Sequence, residues 1–584
     1  MDQDASLAKA ALARGDLIAA YDITVSAIAE GNESSEIRHQ QILALARMGD
    51  TGRAMDLFAA HGLDRSANPH ERAIGARLLK DCALSLPSGE ARSVALEKAF
   101  EAYHSIFLDS GDSFPGINAA TLALLAGDTA RARALAERLL ADPAVAAAGD
   151  YYRAATKAEA LLILGCTADV AEVLQGEAVR LSSDHGARST TRRQLAMVAR
   201  QAGMDEAACR EMLAPLEPPR VAHFCGHMFA ADPEAETRLR LASDRILAEE
   251  DVGFAFGALA CGADLVFAEA ALARGAELHV VLPFEEEDFL AQSVRPGGES
   301  WLERYRVCVE TAASVTVASP MEFFGDPAQY GYGSRISMGL ARLRAEHLGA
   351  DAVQVAIWDG VPSDGPAGTG ADIAAWTGRG GRTRVIDPGP VNRRLVRPDP
   401  RVTTAYERAL AAILFTDFAG FSTLKETALP AFWDGVMRRI ADVLDAHDGA
   451  VACRNSWGDA LYAVMTSAPA AAGIALELQD ALAAFDYAIL GLDGGGGMRI
   501  GVHYGPAYRT IDHITGRTTF YGTEVSKAAR IEPVTPPGAV FVTEPFAAVL
   551  ALEAGDAFAC RYVGRLALAK KYGAFPMYRL TRTA

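Results

Sequence analysis

The spacing of hydrophobic and polar residues changes twice along the chain, and the first pattern predicts helices almost throughout residues 1–216. This part is rich in Ala, Leu, Arg and Glu, and it repeats itself. The tetrad Ala-Leu-Ala-Arg precedes Gly15-Asp16 and again Met48-Gly49-Asp50, so the two glycines are 34 residues apart. Similar glycine-containing helix ends follow at Gly127, Gly165 and Gly203. Such a glycine lets one helix end and turn, and an aspartate after it caps the next helix.

The interval of 34 residues is the length of one tetratricopeptide unit, and residues 1–216 resemble tetratricopeptide repeats. The resemblance implies stacked helix pairs that bind a protein partner or other copies of the chain. A plain helical bundle would produce the same pattern, so that alternative stays open. In either case this part of the sequence contains no set of catalytic residues.

A second pattern covers residues 217–392, where short apolar runs alternate with helical segments. The proline-rich stretch at residues 215–219 marks the boundary. We predict strands at residues 221–225, 252–256, 278–283, 314–318 and 352–358, and helices at 234–249 and 265–274. Short strands separated by helices predict an α/β domain with a doubly wound parallel sheet, which is Rossmann-like.

Three glycine-containing loops follow predicted strands of this domain, at Gly226, residues 257–262 and residues 365–370. Ligands of such sheets bind at the carboxyl ends of the strands, where helix N-termini attract anions. Glycines in these loops also serve packing alone, so both explanations stay open. The residues that we predict to bind a nucleotide-type regulatory ligand are Gly226, Gly257, Gly262, Asp264, Gly368 and Thr369.

Residues 257–264, the strand end Leu282-Pro283-Phe284 and the loop at 365–372 together resemble the SLOG superfamily. Members of this superfamily are Rossmann-like domains that bind nucleotides, nucleotide sugars or their derivatives, some as enzymes and many as sensors. The hydrolases among them carry a Pro-Gly-Gly-x-Gly-Thr loop followed by glutamate, whereas this chain has Pro366-Ala-Gly-Thr-Gly-Ala-Asp372. The resemblance therefore implies a sensor rather than a hydrolase.

The third pattern covers residues 409–584, after a linker at 393–408 that Pro398 and Pro400 make stiff and extended. We predict, in order, a strand (411–416), a helix (427–446), a hairpin (449–465), a helix (468–485), a strand (498–503), a loop (505–520), a helix (522–531), a strand (539–543) and terminal strands (558–569 and 575–580). This order predicts an α+β domain of ferredoxin-like fold. The chain is therefore expected to be multidomain, with all-α repeats, an α/β domain and an α+β domain in succession.

Composition and charge narrow the range of partners. The chain has 584 residues, too many for one core, and a net charge of −18 that no strongly basic run offsets, so we expect no nucleic-acid partner. The eight cysteines are scattered without a CxxC pair, which favours a reducing compartment over a disulfide framework or a zinc site. The sequence shows neither a secretory signal nor an apolar run of about 18 residues. We therefore expect a cytoplasmic protein with no membrane partner.

Two aspartates stand beside turns in the third domain. Asp417 follows the apolar run Ile413-Leu-Phe415 and precedes a turn at Gly420, while Asp459 follows Gly458 at the tip of the predicted hairpin. Two strand-end carboxylates that fold together can hold Mg²⁺ or Mn²⁺, hard cations that also bridge to substrate phosphates. From the pattern alone, two solvated turn aspartates are an equally weighted alternative.

Three motifs in this domain resemble the class III nucleotidyl cyclase catalytic domain. They are Phe415-Thr-Asp417-Phe-Ala-Gly-Phe421, then Gly458-Asp459, then Arg499-Ile-Gly-Val-His-Tyr-Gly505 with the downstream residues up to Glu532. The resemblance implies conversion of a nucleoside triphosphate, with ATP favoured, to a 3′,5′-cyclic nucleotide and pyrophosphate in intracellular signalling. It also implies a homodimer, in which one protomer supplies the metal ligands and the other supplies the base-reading and transition-state residues.

The resemblance also implies a role for each matching residue. Asp417 and Asp459 are expected to hold two Mg²⁺ or Mn²⁺ ions. The other implied contacts are Phe418, Gly420 and Phe421 near the phosphates, Arg530 on the transition-state charge, and Lys570 or Lys571 on the terminal phosphates.

Three further positions concern the base and the ribose. Asn455 stands where an adenine-reading lysine is usual, and its partner position holds Thr519, as in a bacterial subgroup. Both side chains donate and accept hydrogen bonds, so the choice of base stays open. Ser526 replaces the asparagine that orients the ribose, a change expected to lower the rate by a factor on the order of 10²–10³. The alternative function is a dimerising, nucleotide-binding regulatory module with little or no turnover.

Overall fold

The computed structural model describes residues 3–362, 365, 367–403, 406, 408–492 and 497–583. Asp364 and Pro366 of the predicted glycine loop, and residues 404, 405 and 407 of the predicted linker, lie outside the described residues. The chain divides between Pro218 and Pro219 into two compact units. Among the described residues, no helix combines the length and the apolar character needed to cross a bilayer.

The first unit consists of helices. They are α1 (Gln3–Arg14), α2 (Leu17–Ala29), α3 (Ser35–Arg47), α4 (Thr51–Ala60), α5 (Pro69–Ser85), α6 (Glu90–Ser110), α7 (Ser113–Leu125), α8 (Thr129–Leu140), α9 (Pro143–Ala147), α10 (Tyr151–Leu164), α11 (Thr167–Gln175), α12 (Glu177–Arg180), α13 (His185–Gln201) and α14 (Glu206–Leu213). Consecutive helices such as α1 and α2, and α2 and α3, pack against each other. The all-α prediction for this part of the chain is confirmed.

The repeated glycine–aspartate pairs form the helix turns that the sequence predicts. Gly15 and Gly49 adopt φ angles of +73° and +82°, which end α1 and α3 in the left-handed conformation. Asp16 accepts the Ala19 N–H at 3.1 Å, so its carboxylate satisfies a free donor at the start of α2. Gly127 and Asp128 form the same turn before α8.

The middle part of the chain folds into a six-stranded parallel sheet. Its strands are β1 (Arg220–Gly226), β2 (Val252–Gly257), β3 (Glu277–Leu282), β4 (Ser314–Val317), β5 (Ala352–Ile357) and β6 (Arg382–Ile386), in the order β4-β3-β2-β1-β5-β6. Its helices are α15 (Pro233–Glu249), α16 (Ala263–Ala273), α17 (Glu286–Phe289), α18 (Glu299–Thr311), α19 (Ala328–Leu348) and α20 (Thr369–Thr377). The strand order reverses between β1 and β5, which makes the crevice there the switch point of a doubly wound fold. The predicted parallel sheet is confirmed.

The C-terminal part forms an eight-stranded mixed sheet. Its strands are β7 (Arg408–Ala419), β8 (Val451–Trp457), β9 (Ala460–Met465), β10 (Gly497–Ile511), β11 (Thr518–Tyr521), β12 (Val540–Thr543), β13 (Phe558–Ala567) and β14 (Ala574–Arg582). The order is β13-β14-β12-β10-β7-β9-β8, and β11 pairs with β10. The helices are α21 (Leu429–Phe432), α22 (Arg438–Ala446), α23 (Ala468–Ala483), α24 (Thr523–Ala528) and α25 (Glu544–Ala554). The α+β prediction is confirmed.

The predicted loop at 505–520 is wrong over its first half, because β10 continues to Ile511. Beyond Gly505 the strand still pairs with β7, and it then forms a hairpin with β11 in which the Tyr508 and Tyr521 rings stack at 5.3 Å. Gly505 suggested that the strand ends there, but this glycine instead allows α24 to pack closely against β10. A Cβ there would lie 2.9 Å from Cγ of Glu524, which belongs to α24.

The described part of the predicted linker is attached to the middle domain. The Pro398 carbonyl accepts a hydrogen bond from Gln292 at 2.9 Å, and the Arg401 guanidinium contacts Asp288 at 2.5 Å. The middle and C-terminal domains also share a buried apolar cluster of Met338, Trp376 and Leu552. The two sheets therefore belong to one compact unit rather than to two tethered ones.

Candidate active site

The fold brings Asp417 and Asp459 together at one end of the C-terminal sheet. Asp417 lies near the end of β7, and Asp459 lies in the turn between β8 and β9, the latter being the neighbour of β7. The Phe418 N–H donates to Oδ2 of Asp459 at 3.3 Å, which ties the hairpin tip to the end of β7. Burial and the negative charge of Asp417 raise the pKa of Asp459.

A third carboxyl group and an arginine join this pair. Arg499 lies opposite Asp417 in the β7–β10 register, and its Nη1 is 3.6 Å from Oδ2 of Asp417 and 3.9 Å from Oε1 of Glu532. Burial raises the pKa of Glu532 to about 7, with Asp417 adding to the shift and Arg499 opposing it. Arg499 therefore pairs with Asp417 and Glu532, while the Asp459 charge also acts on Glu532, so the site carries an excess of negative charge.

The turn after Asp417 is shaped by aromatic packing. Phe418 is buried and packs edge-on against Phe432 at 5.1 Å, and Phe421 lies 4.9 Å from the same ring. Gly420 turns the chain with a φ of +93°. The Phe418 N–H donates to Asp459, so this residue supports the carboxylate, and its contact with a phosphate stays a prediction.

Asn455 and Thr519 lie around Tyr462 on one face of the sheet. Asn455 pairs directly with Tyr462 across β8 and β9, and the Tyr462 hydroxyl donates to the Phe520 carbonyl at 2.9 Å, next to Thr519. The Thr519 side chain is hydrogen-bonded to Cys453, two residues before Asn455 on the same face. The exposed Asn455 accepts the N–H of its neighbour Ser456 at 2.9 Å.

The predicted cationic residues gather at α24 and the loop at 569–571. The Ala569 N–H donates to the Arg530 carbonyl at 3.4 Å, and the Tyr572 hydroxyl donates to the Thr523 carbonyl at 3.2 Å, so the loop is fastened near both ends of α24. Ser526 is exposed on α24. Lys570 and Lys571 have φ angles of +60° and +58°, a left-handed conformation that is costly for residues with a Cβ.

The carboxylate set and the cationic set do not meet within one chain. Among the described residues, no hydrogen bond or ion pair joins Asp417 or Asp459 to Ser526, Arg530 or the two lysines. Nor do three acidic, histidine or cysteine side chains within the described ranges close around a single point. Within the part of the chain that the structure describes, the two sets are therefore not in direct contact.

In the middle domain, neighbouring atoms fill the space beside three of the predicted ligand-binding glycines. A Cβ on Gly226 would lie 2.3 Å from Cβ of Ala263, and one on Gly257 would lie 2.6 Å from the Phe224 ring. Gly262 has a φ of +95° and lies close to the Phe229 backbone. Packing therefore requires glycine at these three positions, and their role in ligand binding stays a prediction.

The carboxyl groups beside the switch point are a more distinctive feature. Asp264 and Asp372 lie in the first turns of α16 and α20, which both pack against β1. Burial raises the pKa of the Cys225 thiol, and the negative charges of both aspartates add to this shift. Burial raises the pKa of Asp372 to about 7, and Ser334 of α19 donates to its Oδ2 at 3.1 Å. Oδ1 of Asp264 has no hydrogen-bond partner among the described residues. Gly368 and the buried Thr369 begin α20 beside them.

Sequence reasoning assigned no role to Arg499, Glu532 or Asp372. Arg499 and Glu532 stand within the motifs that carry the family resemblance, so a signal was present. Their contact with Asp417 depends on the register of β7 against β10, which the sequence pattern does not specify. Asp372 closes the glycine loop, but only the fold places it near Asp264.

Two family models match parts of the chain. Residues 16–123 match Tetratricopeptide Repeats-Sensor, and residues 404–581 match the Adenylate and Guanylate cyclase catalytic domain. A comparison with curated proteins finds no match.

Several solved structures are similar to part of the chain. The adenylyl cyclase CyaB from P. aeruginosa is 17% identical with a TM-score of 0.28, covering 31% of this chain and 98% of that chain. The guanylate cyclase domain of RhGC from Catenaria anguillulae, in complex with GTP, is 17% identical with a TM-score of 0.27, covering 30% and 100%. A structure from the adenylate cyclases of Trypanosoma brucei is 22% identical with a TM-score of 0.24, covering 29% and 87%.

These matches confirm the tetratricopeptide resemblance at the N-terminus, whereas the SLOG resemblance of the middle domain stays a prediction. Residues 404–581 are a catalytic domain of the adenylate and guanylate cyclase family.

Proposed function

We propose that the protein is a metal-dependent nucleotidyl cyclase that acts as a homodimer. The observation that carries the proposal is the convergence of Asp417 and Asp459, 42 positions apart in sequence, at one end of a cyclase-family sheet. The bond formed joins the ribose 3′-oxygen to the α-phosphorus, the bond broken releases pyrophosphate, and the 3′-hydroxyl proton is lost to solvent.

The donor set suits a hard divalent cation. Carboxylate oxygens are the ligands that Mg²⁺ and Mn²⁺ prefer, and Asp417 and Asp459 would hold two such ions, with phosphate oxygens and water completing the coordination. The crowding of Glu532 against this pair supports the need for added positive charge. When bound, the ions would supply charge that activates the 3′-hydroxyl and neutralises the triphosphate.

The lack of contact between the carboxylate set and the cationic set supports a dimer. In a symmetric pair of chains, Asp417 and Asp459 of one chain would face Arg530 and the loop at 569–571 of the other. Arg530 would stabilise charge on the transferring phosphate, and Lys570 or Lys571 would hold the terminal phosphates. The strained backbone of the two lysines supports a functional role for the loop, since such strain concentrates at functional sites.

The residues at the base-reading positions fit more than one base, so the substrate has to be identified by experiment. Asn455, Thr519 and Cys453 offer donors and acceptors on one face, and we favour ATP over GTP as the substrate. Ser526 would contact the ribose with a shorter reach than the usual asparagine.

The decisive experiment offers the purified full chain ATP, GTP, CTP and UTP in turn with Mn²⁺, and measures cyclic product by chromatography. We expect product from ATP, abolished by Asp459→Asn. Asp512→Asn is the matched control, because the Asp512 carboxylate accepts the Ile514 and Thr515 N–H groups in the turn after β10 and belongs to no predicted site. Absence of product from all four nucleotides, with the protein shown to be dimeric, would overturn the proposal.

A second candidate is a module that binds nucleotide without turnover. It is favoured by Asn455, whose amide oxygen is engaged by its own neighbour, and by the exposed Ser526. Saturable binding of ATP in equilibrium dialysis without any cyclic product would decide for it.

The middle domain is proposed to bind a nucleotide-type ligand that regulates the reaction. The buried Asp264 and Asp372 beside Gly368 and Thr369 support a ligand with hydroxyl groups, such as a ribose, at the switch point. A thermal-shift screen of nucleotides tests this, and failure of every phosphate-bearing compound to stabilise the protein would count against it. A protein partner for the repeats and a cytoplasmic location stay predictions from the sequence.

A further inference from the structure

Helix α19 belongs to the middle domain but lies directly against the C-terminal domain. A Cβ on Gly339 would lie 2.0 Å from the Ala548 carbonyl oxygen, so the backbones of α19 and α25 are in direct contact. One turn earlier, Arg335 pairs with the half-buried Glu553 of α25 at 2.8 Å. The same helix donates from Ser334 to Asp372 beside the switch point.

Tyr332 of α19 reaches into the C-terminal sheet. Its side chain is fully buried, and its hydroxyl donates to the Tyr504 carbonyl of β10 at 3.1 Å. Strand β12 pairs with β10 only as far as Val502, so the Tyr504 carbonyl lies beyond that pairing and is bonded by a residue of another domain. A buried carbonyl without a partner is costly, which makes this hydrogen bond a specific anchor.

The residues on either side of Tyr504 both contact Glu524 of α24. His503 bonds Oε2 of Glu524 through Nε2 at 2.7 Å and Thr543 through Nδ1 at 2.7 Å. Gly505 lies directly under the Glu524 side chain, where a Cβ would be 2.9 Å from Cγ. Glu524 also pairs with Lys527 at 2.8 Å, so the network spans the buried side of α24.

The His503–Glu524–Lys527 network is buried and strongly charged. His503 and Lys527 lower the pKa of Glu524 to about 2 although burial raises it. In a low-dielectric interior, such a network has one favourable geometry and holds its members rigidly. Helix α24 has six residues, and this network attaches its buried side to β10 and so orients the residues on its other side.

We propose that Tyr332 is a positioning residue for the cyclase reaction: by fixing Tyr504 it holds the His503–Glu524–Lys527 network, and through that network it sets α24, which carries Ser526 and leads to Arg530. The inference rests on the proposed function and deepens it. It makes a middle-domain side chain part of the support of the active site, and it places that side chain two residues from Ser334, which contacts Asp372 at the switch point.

The variant Tyr332→Phe keeps the ring and removes only the hydroxyl. Tyr305→Phe is the matched control, because Tyr305 is an equally buried tyrosine of the middle domain whose hydroxyl donates to Glu286 at 3.0 Å. With Mn²⁺ and ATP, we expect Tyr332→Phe to lower kcat about 2- to 10-fold, the range for loss of one net hydrogen bond, with KM unchanged. Tyr305→Phe should leave kcat unchanged, and the two variants should unfold at similar temperatures.

Hydrogen exchange followed by mass spectrometry separates this inference from the proposed function. We expect faster exchange of the peptide containing α24 in Tyr332→Phe than in Tyr305→Phe, a comparison that needs no turnover. If the unaltered protein makes no product but α24 exchange rises, the proposed function fails and the support by Tyr332 stands. Equal α24 exchange in the two variants would overturn the inference, and so would an equal kcat when the unaltered protein makes product.

Discussion

The close packing of the middle domain against the C-terminal domain at Gly339 gives a sharp test. A methyl group there would lie 2.0 Å from the Ala548 carbonyl oxygen, 2.3 Å from its carbon and 2.7 Å from its Cα, whereas ordinary contact begins at 3.4 Å. All three neighbours are backbone atoms of α25, which cannot rotate away as a side chain would. For Gly339→Ala the two helices must therefore move apart by roughly 1.4 Å.

The expected change in the free energy of unfolding for Gly339→Ala is the difference between two opposing contributions. Gly→Ala inside a helix stabilises by about 0.5–1 kcal/mol, because glycine loses more conformational entropy on folding. Overpacking of a well-filled contact costs about 1–3 kcal/mol, and the rigid backbone neighbours favour the upper part of that range. We expect Gly339→Ala to destabilise the second unit by about 2 kcal/mol, or a fall in Tm of roughly 2–4 °C for a unit of this size.

Gly473→Ala is the matched control, because Gly473 lies within α23 and a Cβ there would meet nothing within 4 Å. The same chemical change should raise Tm by about 1 °C. Scanning calorimetry of the two variants and the unaltered chain gives both signs in one experiment. A rise at Gly339→Ala comparable to that at Gly473→Ala would refute the close contact of α19 with α25.

Three other changes have expected outcomes. If the active site is shared across a dimer, the inactive variants Asp459→Asn and Arg530→Ala should recover about a quarter of normal activity when mixed, since half of the dimers are mixed and each has one intact site; mixtures without activity would contradict this. Because the pKa of Asp372 is raised to about 7, its contribution to stability falls as pH rises from about 4 to about 7. Asp372→Asn should therefore raise Tm at pH 8 but not at pH 4, and equal effects at both would refute the shift. Lys571→Gly should relieve the left-handed strain and stabilise the fold by about 1 kcal/mol in calorimetry while lowering cyclase turnover, and unchanged turnover would argue against a role for this loop.

The sequence predicted those features that depend on local pattern. Asp417 follows an apolar run and Asp459 stands at a hairpin tip, so their convergence needed only that the two strands be neighbours. Strand β6 was missed because Arg382 and Arg384 give it a polar pattern, and it is an edge strand whose arginines pair with Glu250. Polar pairing of that kind has no signature in hydrophobic periodicity.

Features that depend on register or on distant contacts could not be predicted. The approach of Arg499 to Asp417 follows from the exact pairing of β7 with β10, and a slip of one residue would turn the arginine to the other face. Tyr332 and Tyr504 are 172 residues apart, and nothing in either local sequence indicates that a tyrosine of one domain bonds a carbonyl of another.

The apolar cluster shared by Met338, Trp376 and Leu552 bears on how this chain can be divided or recombined. A fragment that begins at residue 409 would expose Leu552 and the Tyr504 carbonyl to water, so an isolated cyclase domain is expected to be poorly soluble. A chimera that replaces the middle domain would have to retain α19, since that helix packs against the interior of the catalytic domain. A fragment that keeps the cyclase domain intact should therefore begin at β1, the first strand of the middle sheet, well before the cyclase motifs.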